Sequence, residues 1–257
     1  NWLNLGNQDF SSEGRSQLFH RVVKKYVDET KTVPVSEASE KNDVTLVHGI
    51  PYFKDGSGRY PQFYNNDYWR RNKDLTKHET EMTLEDFLDH LFSHKPDLSA
   101  SAIRKDSAPQ EFYSPFGVII KEGKIYDADS QDIAALGKAD REKIRMRLNS
   151  GTSEPISERV KNTVRSRPTG NGYNELIIGD NHTIGGIYFV EGHRGWNSLN
   201  YQGQSKNEII KRLASEAKKY NVPLYSHSEG KGFSEINVGD YLHERHGVSK
   251  EKVGKGK

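Results

Sequence analysis

The chain has 257 residues, of which 33% are hydrophobic and 29% charged, and its formal net charge is +2. This length can bury a sizeable core, the 26 aromatic residues (10 Phe, 13 Tyr and 3 Trp) argue against disorder, and the near balance of charge argues against a dedicated nucleic-acid binder. Cys is absent, which excludes a Cys nucleophile, a thiolate zinc site and a disulfide framework. No apolar run approaches the roughly 20 residues that a membrane span requires. We therefore expect neither a metal cofactor nor a membrane-spanning segment.

The N-terminal part of the chain predicts a helix, a strand and a second helix. Apolar side chains recur at helical spacing over residues 18–27. After a polar stretch, the apolar run 44–47 predicts a strand that ends at the pair His48-Gly49. A Gly- and Tyr-rich loop is predicted over 51–75, and a capping box at 83–86 opens the second helix.

The middle of the chain returns to strand. Residues 116–120 are apolar, Gly123 predicts a turn, and residues 125–126 are predicted to pair back as a hairpin. Helical spacing follows over 132–148. Residues 149–158 are rich in Ser, Gly, Pro and Thr and predict a loop or hinge.

The C-terminal part predicts two strands, a loop, a helix and a short strand. The strands cover 173–178 and 184–190, and the Gly-rich loop covers 192–203. Ser205 and Glu208 form a capping box that opens the helix, and residues 222–225 predict the last strand. Strands and helices do not alternate regularly, which argues against a doubly wound parallel sheet and favours an α+β fold.

Two segments carry most of the functional information: the strand that ends in His48-Gly49, and Asn174-Glu175, which opens an apolar strand. This pattern resembles the ADP-ribosyltransferase superfamily. In its poly(ADP-ribose) polymerase-like branch, a strand ending in His-Gly grips NAD and a later Asn-Glu strand supplies the catalytic glutamate. The resemblance implies a split antiparallel β-sandwich with surrounding helices, and NAD as a substrate.

The resemblance also implies a role for each residue. Glu175 would hydrogen-bond the ribose 2′-hydroxyl and stabilise the oxocarbenium-like transition state. His48 would bind the adenosine-side ribose, and Gly49, which has no side chain, would let the nicotinamide amide approach the backbone. Taken singly, a Glu at a strand start is usually a surface residue and a His at a strand end is usually structural. The prediction therefore depends on both residues occurring in the family's order, each with its neighbour.

The middle element of the expected site is open on sequence grounds. The polymerase-like branch places a Tyr there to stack on nicotinamide, for which Tyr113 is the better candidate and Tyr126 competes. The other large branch uses a Ser-Thr-Ser strand and an Arg in place of His, and Ser166 offers that alternative. Residue 173 is Tyr, so the second acid found two positions before the glutamate in many arginine-modifying toxins is missing, which argues against transfer to arginine.

The Gly-rich loop after the glutamate strands carries Arg194 and Trp196, which we predict to contact a protein substrate because Trp and Arg often anchor interfaces. The alternative is that Trp196 folds back onto the core.

The resemblance implies mono-ADP-ribosyl transfer from NAD to a host or target-cell protein. Since a Cys-free chain suits export, we expect a secreted bacterial toxin or effector that acts in the target-cell cytosol. The expected organisation is a single catalytic domain over 1–257, with a helical extension over 1–42, a transferase-like core over 43–248 and a disordered tail over 249–257. The alternative is a catalytically inactive, transferase-like effector that serves as a binding module for a host protein.

Overall fold

A computed structural model describes residues 31–50, 84–95, 97–129, 154–166, 174–179, 181–197 and 205–242. The helices predicted over 18–27 and 132–148, the loop over 51–75 and the tail over 249–257 lie outside these residues.

The described part of the chain contains nine strands and five α-helices. The strands are β1 Val33–Pro34, β2 Val44–Gly49, β3 Leu98–Arg104, β4 Phe116–Glu122, β5 Lys124–Asp129, β6 Glu175–Ile178, β7 Thr183–Val190, β8 Leu224–Ser228 and β9 Gly232–Ile236. The helices are α1 Val35–Asn42, α2 Leu84–Asp89, α3 Ile156–Arg165, α4 Lys206–Lys219 and α5 Gly239–Leu242. A π-helical turn, His90–His94, continues α2, and short 3-10 turns lie at Pro109–Glu111 and Arg194–Trp196.

The strands form one sheet in the order β1-β5-β6-β3-β2-β4-β7-β8-β9, and every pair is antiparallel except β7 with β8. Strand β3 joins two halves of this sheet. Its residues 98–100 pair with β6, and its residues 101–104 pair with β2. The predicted α+β class is confirmed, and the sheet is mainly antiparallel.

The main core lies on one face of the sheet, where the helices cover it. Strand residues such as Leu46 and Leu176 pack there with Val35 of α1, Val160 of α3 and Leu213 of α4. Because α1 and β1 contribute to this core and sheet, the described end of the predicted 1–42 extension packs with the rest of the fold.

The opposite face carries a second, smaller cluster, which we call the aromatic cluster. Val47 follows Leu46 on β2, and since successive strand side chains point to opposite faces, it belongs to this second cluster. Its buried members are Val47, Ile103, Phe112, Tyr188 and Val190, with Phe233 packed against them.

The predicted capping box at the start of α4 is confirmed. Ser205 Oγ accepts from the Glu208 backbone N–H, and Glu208 accepts from the Ser205 backbone. The helix then buries its apolar face, as its spacing predicts: Ile209, Ile210, Leu213, Ala214 and Ala217.

The predicted hairpin between residues 116–120 and 125–126 is wrong. Strand β4 pairs with β2 and β7, whereas β5 pairs with β1 and β6. Gly123, at φ +145°, turns the chain between the two halves of the sheet instead of folding it back on itself. Both edges of β5 are already taken, with Ile125 opposite Val33 on one side and Ile178 on the other.

Candidate active site

The candidate site begins where β2 and β3 separate. Their described pairing ends at Val47 and Ser101, whereas β2 continues along β4 as far as Gly49. Here the His48 side chain reaches the backbone of β3, with Nδ1 2.6 Å from the carbonyl oxygen of Ser99. A carbonyl oxygen only accepts, so Nδ1 carries a proton and donates this hydrogen bond.

Glu175 approaches the same residue from the other side of β3. It is the first residue of β6, its side chain is 1% exposed, and its Oε1 accepts a hydrogen bond from Ser99 Oγ. Because the acceptor is a carboxylate, this bond is stronger than one between neutral groups. Ser99 therefore binds both sequence-predicted residues, His48 through its carbonyl and Glu175 through its hydroxyl.

Asn174 fixes the start of the Glu175 strand. Its side-chain oxygen accepts from the Ala102 N–H at 2.8 Å, and its carbonyl accepts from Ser101 Oγ at 2.8 Å. Its amide nitrogen donates to the Thr163 carbonyl of α3 at 3.1 Å. The buried Asn174 is thus tied to both β3 and α3, and this holds the neighbouring carboxylate in place.

Gly49, the last residue of β2, packs against the ring of Tyr113. A Cβ placed on Gly49 would lie 3.1 Å from Tyr113 Cδ1 and 3.0 Å from Ser114 Cβ, so a larger residue would displace one of them. Tyr113 is 39% exposed, whereas the competing Tyr126 is buried with its ring over Gly179. Of the two Tyr candidates, the structure therefore brings Tyr113 to the His48-Gly49 segment.

Ser166 follows α3, on the Asn174 side of the site. Its hydroxyl donates to the Thr163 carbonyl at the C-terminal end of α3. Arg104 at the far end of β3 donates to the neighbouring Val164 carbonyl at 3.1 Å. The Thr163 carbonyl also accepts from the Asn174 amide at 3.1 Å, so Ser166 lies next to the residue that precedes Glu175.

Arg194 and Trp196 form the 3-10 turn after β7. Arg194 is exposed. Trp196 packs against the main core, with its ring 5.8 Å from that of Phe116 and its indole N–H donating to the Val190 carbonyl at 2.7 Å. Of the two predicted contact residues, Arg194 is the more accessible. Trp196 packs inward, in agreement with the alternative that it folds back onto the core.

His193, just before this turn, is buried and makes two hydrogen bonds. Its Nδ1 accepts from the Gly195 N–H at 2.9 Å, and its Nε2 lies 3.0 Å from the Phe112 carbonyl. An Nδ1 that accepts leaves the proton on Nε2, which therefore donates to Phe112. Burial lowers the pKa of His193; the hydrogen bond to the Phe112 carbonyl opposes this shift, and nearby Arg194 adds to it.

Ser99 and His193 are the residues that the sequence analysis missed. The stretch Leu98-Ser99-Ala100-Ser101 alternates apolar and small polar residues, which is the signal of a strand with one polar face. That alternation would have revealed β3. His193 carries no such signal, because its partners lie 81 residues away at Phe112 and within its own turn.

Among the described residues, no group of three or more His, Asp or Glu side chains is placed to hold a metal ion. None of the helices that the structure describes is long and apolar enough to cross a membrane. Comparisons with protein-family models, curated proteins and solved structures found no match.

Proposed function

We propose that this chain transfers a single ADP-ribose from NAD to a protein. The observation that carries the proposal is Ser99, which binds His48 through its carbonyl and Glu175 through its hydroxyl. His48 and Glu175 lie far apart in the sequence, and each matches a motif of the ADP-ribosyltransferase pattern. Both are hydrogen-bonded to Ser99.

The chemistry requires few groups. The bond between the nicotinamide nitrogen and C1′ of the ribose breaks, and its electron pair leaves with nicotinamide. Glu175 stabilises the positive charge that develops on the ribose and accepts from its 2′-hydroxyl. A nucleophilic side chain of the protein substrate then forms the new bond to C1′ and gives up its proton. His48 holds the adenosine-side ribose, and Tyr113 stacks on the nicotinamide ring next to Gly49.

Two further observations support the proposal. The sheet divides along β3 into two halves, as expected for a split β-sandwich of the transferase type. Tyr113, which we propose to stack on nicotinamide, also lies against Gly49 at the end of β2. The second observation supports the His-Tyr-Glu pattern of the polymerase-like branch.

We further propose that the protein acts as a secreted toxin or effector in the cytosol of a target cell. The support is compositional: a chain without Cys needs no disulfide formation or thiol protection during export. Exposed Arg194 is the described residue that we propose to contact the protein substrate.

The proposal is tested by measuring NAD binding by calorimetry and nicotinamide release by chromatography. Glu175→Gln keeps the size of the side chain and an acceptor oxygen for Ser99 but removes the charge. We expect it to bind NAD as the wild type does and to release nicotinamide at least ~100-fold more slowly, the scale for losing one electrostatic stabiliser. Near-wild-type release would remove Glu175 from the mechanism. NAD binding without release by the wild type, or no binding at all, would favour the inactive binding module.

A further inference from the structure

Tyr113 combines an exposed ring with a firmly held backbone. Ser114 on one side donates its hydroxyl to the Ile50 carbonyl, next to Gly49. Phe112 on the other side is buried in the aromatic cluster, with its ring 4.7 Å from His227 and 5.7 Å from Tyr188. An aromatic ring that projects from a fixed backbone loses little conformational entropy when it stacks on a planar ligand.

The Phe112 carbonyl is held by a single side chain from the loop after β7. The buried His193 donates to it through Nε2 and, through Nδ1, accepts from Gly195 at the start of the 3-10 turn. His193 therefore links the turn 193–196 to residues 112–114, which we call the Tyr113 segment, beside the backbone hydrogen bond from the Val190 N–H to the Pro115 carbonyl at 2.8 Å. The same contact region includes Gly192, where a Cβ would meet the Pro109 ring at 3.7 Å.

We infer that His193 is a positioning residue of the NAD site, which fixes the Phe112 carbonyl and thereby holds the Tyr113 ring beside Gly49 for stacking on nicotinamide. This inference rests on the proposed function. In this proposal His193 does not touch the ligand, because it acts through the backbone of Phe112.

The two hydrogen bonds of His193 can be removed separately. Asn at 193 places a side-chain oxygen near the position of Nδ1, so it keeps the N-cap bond to Gly195, a role for which Asn is well suited. It is too short to reach Phe112. Gln at 193 extends its amide to the position of Nε2, so it keeps the donor to Phe112 and loses the cap. Each variant loses one neutral hydrogen bond, so we expect similar falls in thermal stability.

NAD affinity should separate the two variants. We expect His193→Gln to bind NAD within about twofold of the wild type and His193→Asn to bind about 3- to 10-fold more weakly, the range for one lost neutral hydrogen bond. The KM for NAD should rise by the same factor, with kcat changed less. If NAD affinity fell equally in both variants, in proportion to their loss of thermal stability, His193 would have only a structural role. Wild-type affinity in a folded His193→Asn protein would overturn the inference.

A second measurement does not depend on NAD. Hydrogen exchange of the backbone amides over 112–114, in protein without ligand, should be faster in His193→Asn than in His193→Gln. Equal exchange in the two variants would also overturn the inference. If the wild type binds no NAD, the proposed function fails, and the exchange comparison still decides whether His193 positions the Tyr113 segment.

Discussion

Removing the Ser99 hydroxyl is the most direct test of the centre that joins His48 to Glu175. Ser99→Ala leaves the buried Glu175 carboxylate without the hydrogen bond to its Oε1. A hydrogen bond to a charged group contributes about 1.5–3 kcal/mol, and each 1.4 kcal/mol lost from transition-state stabilisation slows a reaction tenfold. We therefore expect kcat for nicotinamide release to fall about 10- to 100-fold. The KM for NAD should change much less, since the hydroxyl orients the carboxylate and the His48 contact uses the Ser99 backbone.

Ser101→Ala is the matched control on the same strand. Its hydroxyl donates to the Asn174 carbonyl at 2.8 Å and not to the Glu175 carboxylate. Both variants should melt at lower temperature by circular dichroism, but only Ser99→Ala should lose most of its turnover at saturating NAD. Ser99→Thr keeps a hydroxyl and should recover much of the rate. If folded Ser99→Ala turns over like the wild type, or if Ser101→Ala is equally impaired, Ser99 has no special part in the reaction.

Three other measurements address the site and the core. His48→Ala should weaken NAD binding by about 0.5–1.5 kcal/mol in calorimetry, and unchanged affinity in the folded variant would count against its role. Tyr188→Phe should raise the free energy of unfolding in urea by about 1 kcal/mol, because the buried Tyr188 hydroxyl has no hydrogen-bond partner among the described residues; a destabilised variant would contradict this. Burial lowers the pKa of His90 to about 4 and also lowers the pKa of His193 and His227. Since these rings bind protons more readily in the unfolded chain, with a pKa of about 6.5, stability should be full above that pH and fall as the pH drops toward 4. A urea midpoint that is constant between about pH 7 and pH 5 would refute this linkage.

The sequence was most informative where a pattern depends on neighbouring residues. The capping box at Ser205 and Glu208, the apolar spacing of α4 and the strand that ends in His48-Gly49 all depend on local chemistry, and all are present. The strand predicted over 184–190 is present as Thr183–Val190.

What the sequence did not predict depends on long-range contacts. The alternation over residues 98–101 is a local strand signal that was overlooked, but the pairing of β2 and β6 with the two halves of β3 depends on distant segments. Helix α3 was missed because its first turn lies in a stretch with loop composition, although Ile156, Val160 and Val164 recur at helical spacing. The hairpin prediction was wrong because the pairing of β4 and β5 is decided by which distant strands occupy their edges.

The shared strand β3 makes the site unusually sensitive to chain length at one point. Side chains alternate between the faces of a strand, so inserting or deleting one residue between 98 and 101 would exchange the faces of everything on one side of the change. Asn174 binds the backbone at Ala102 and therefore holds the register of β3 beyond that point. An insertion or deletion between Ser99 and Ser101 would turn the Ser99 hydroxyl away from Glu175 and the buried Leu98 away from the main core. The number of residues in β3 is therefore as much a requirement of the proposed site as the side chains that the strand carries.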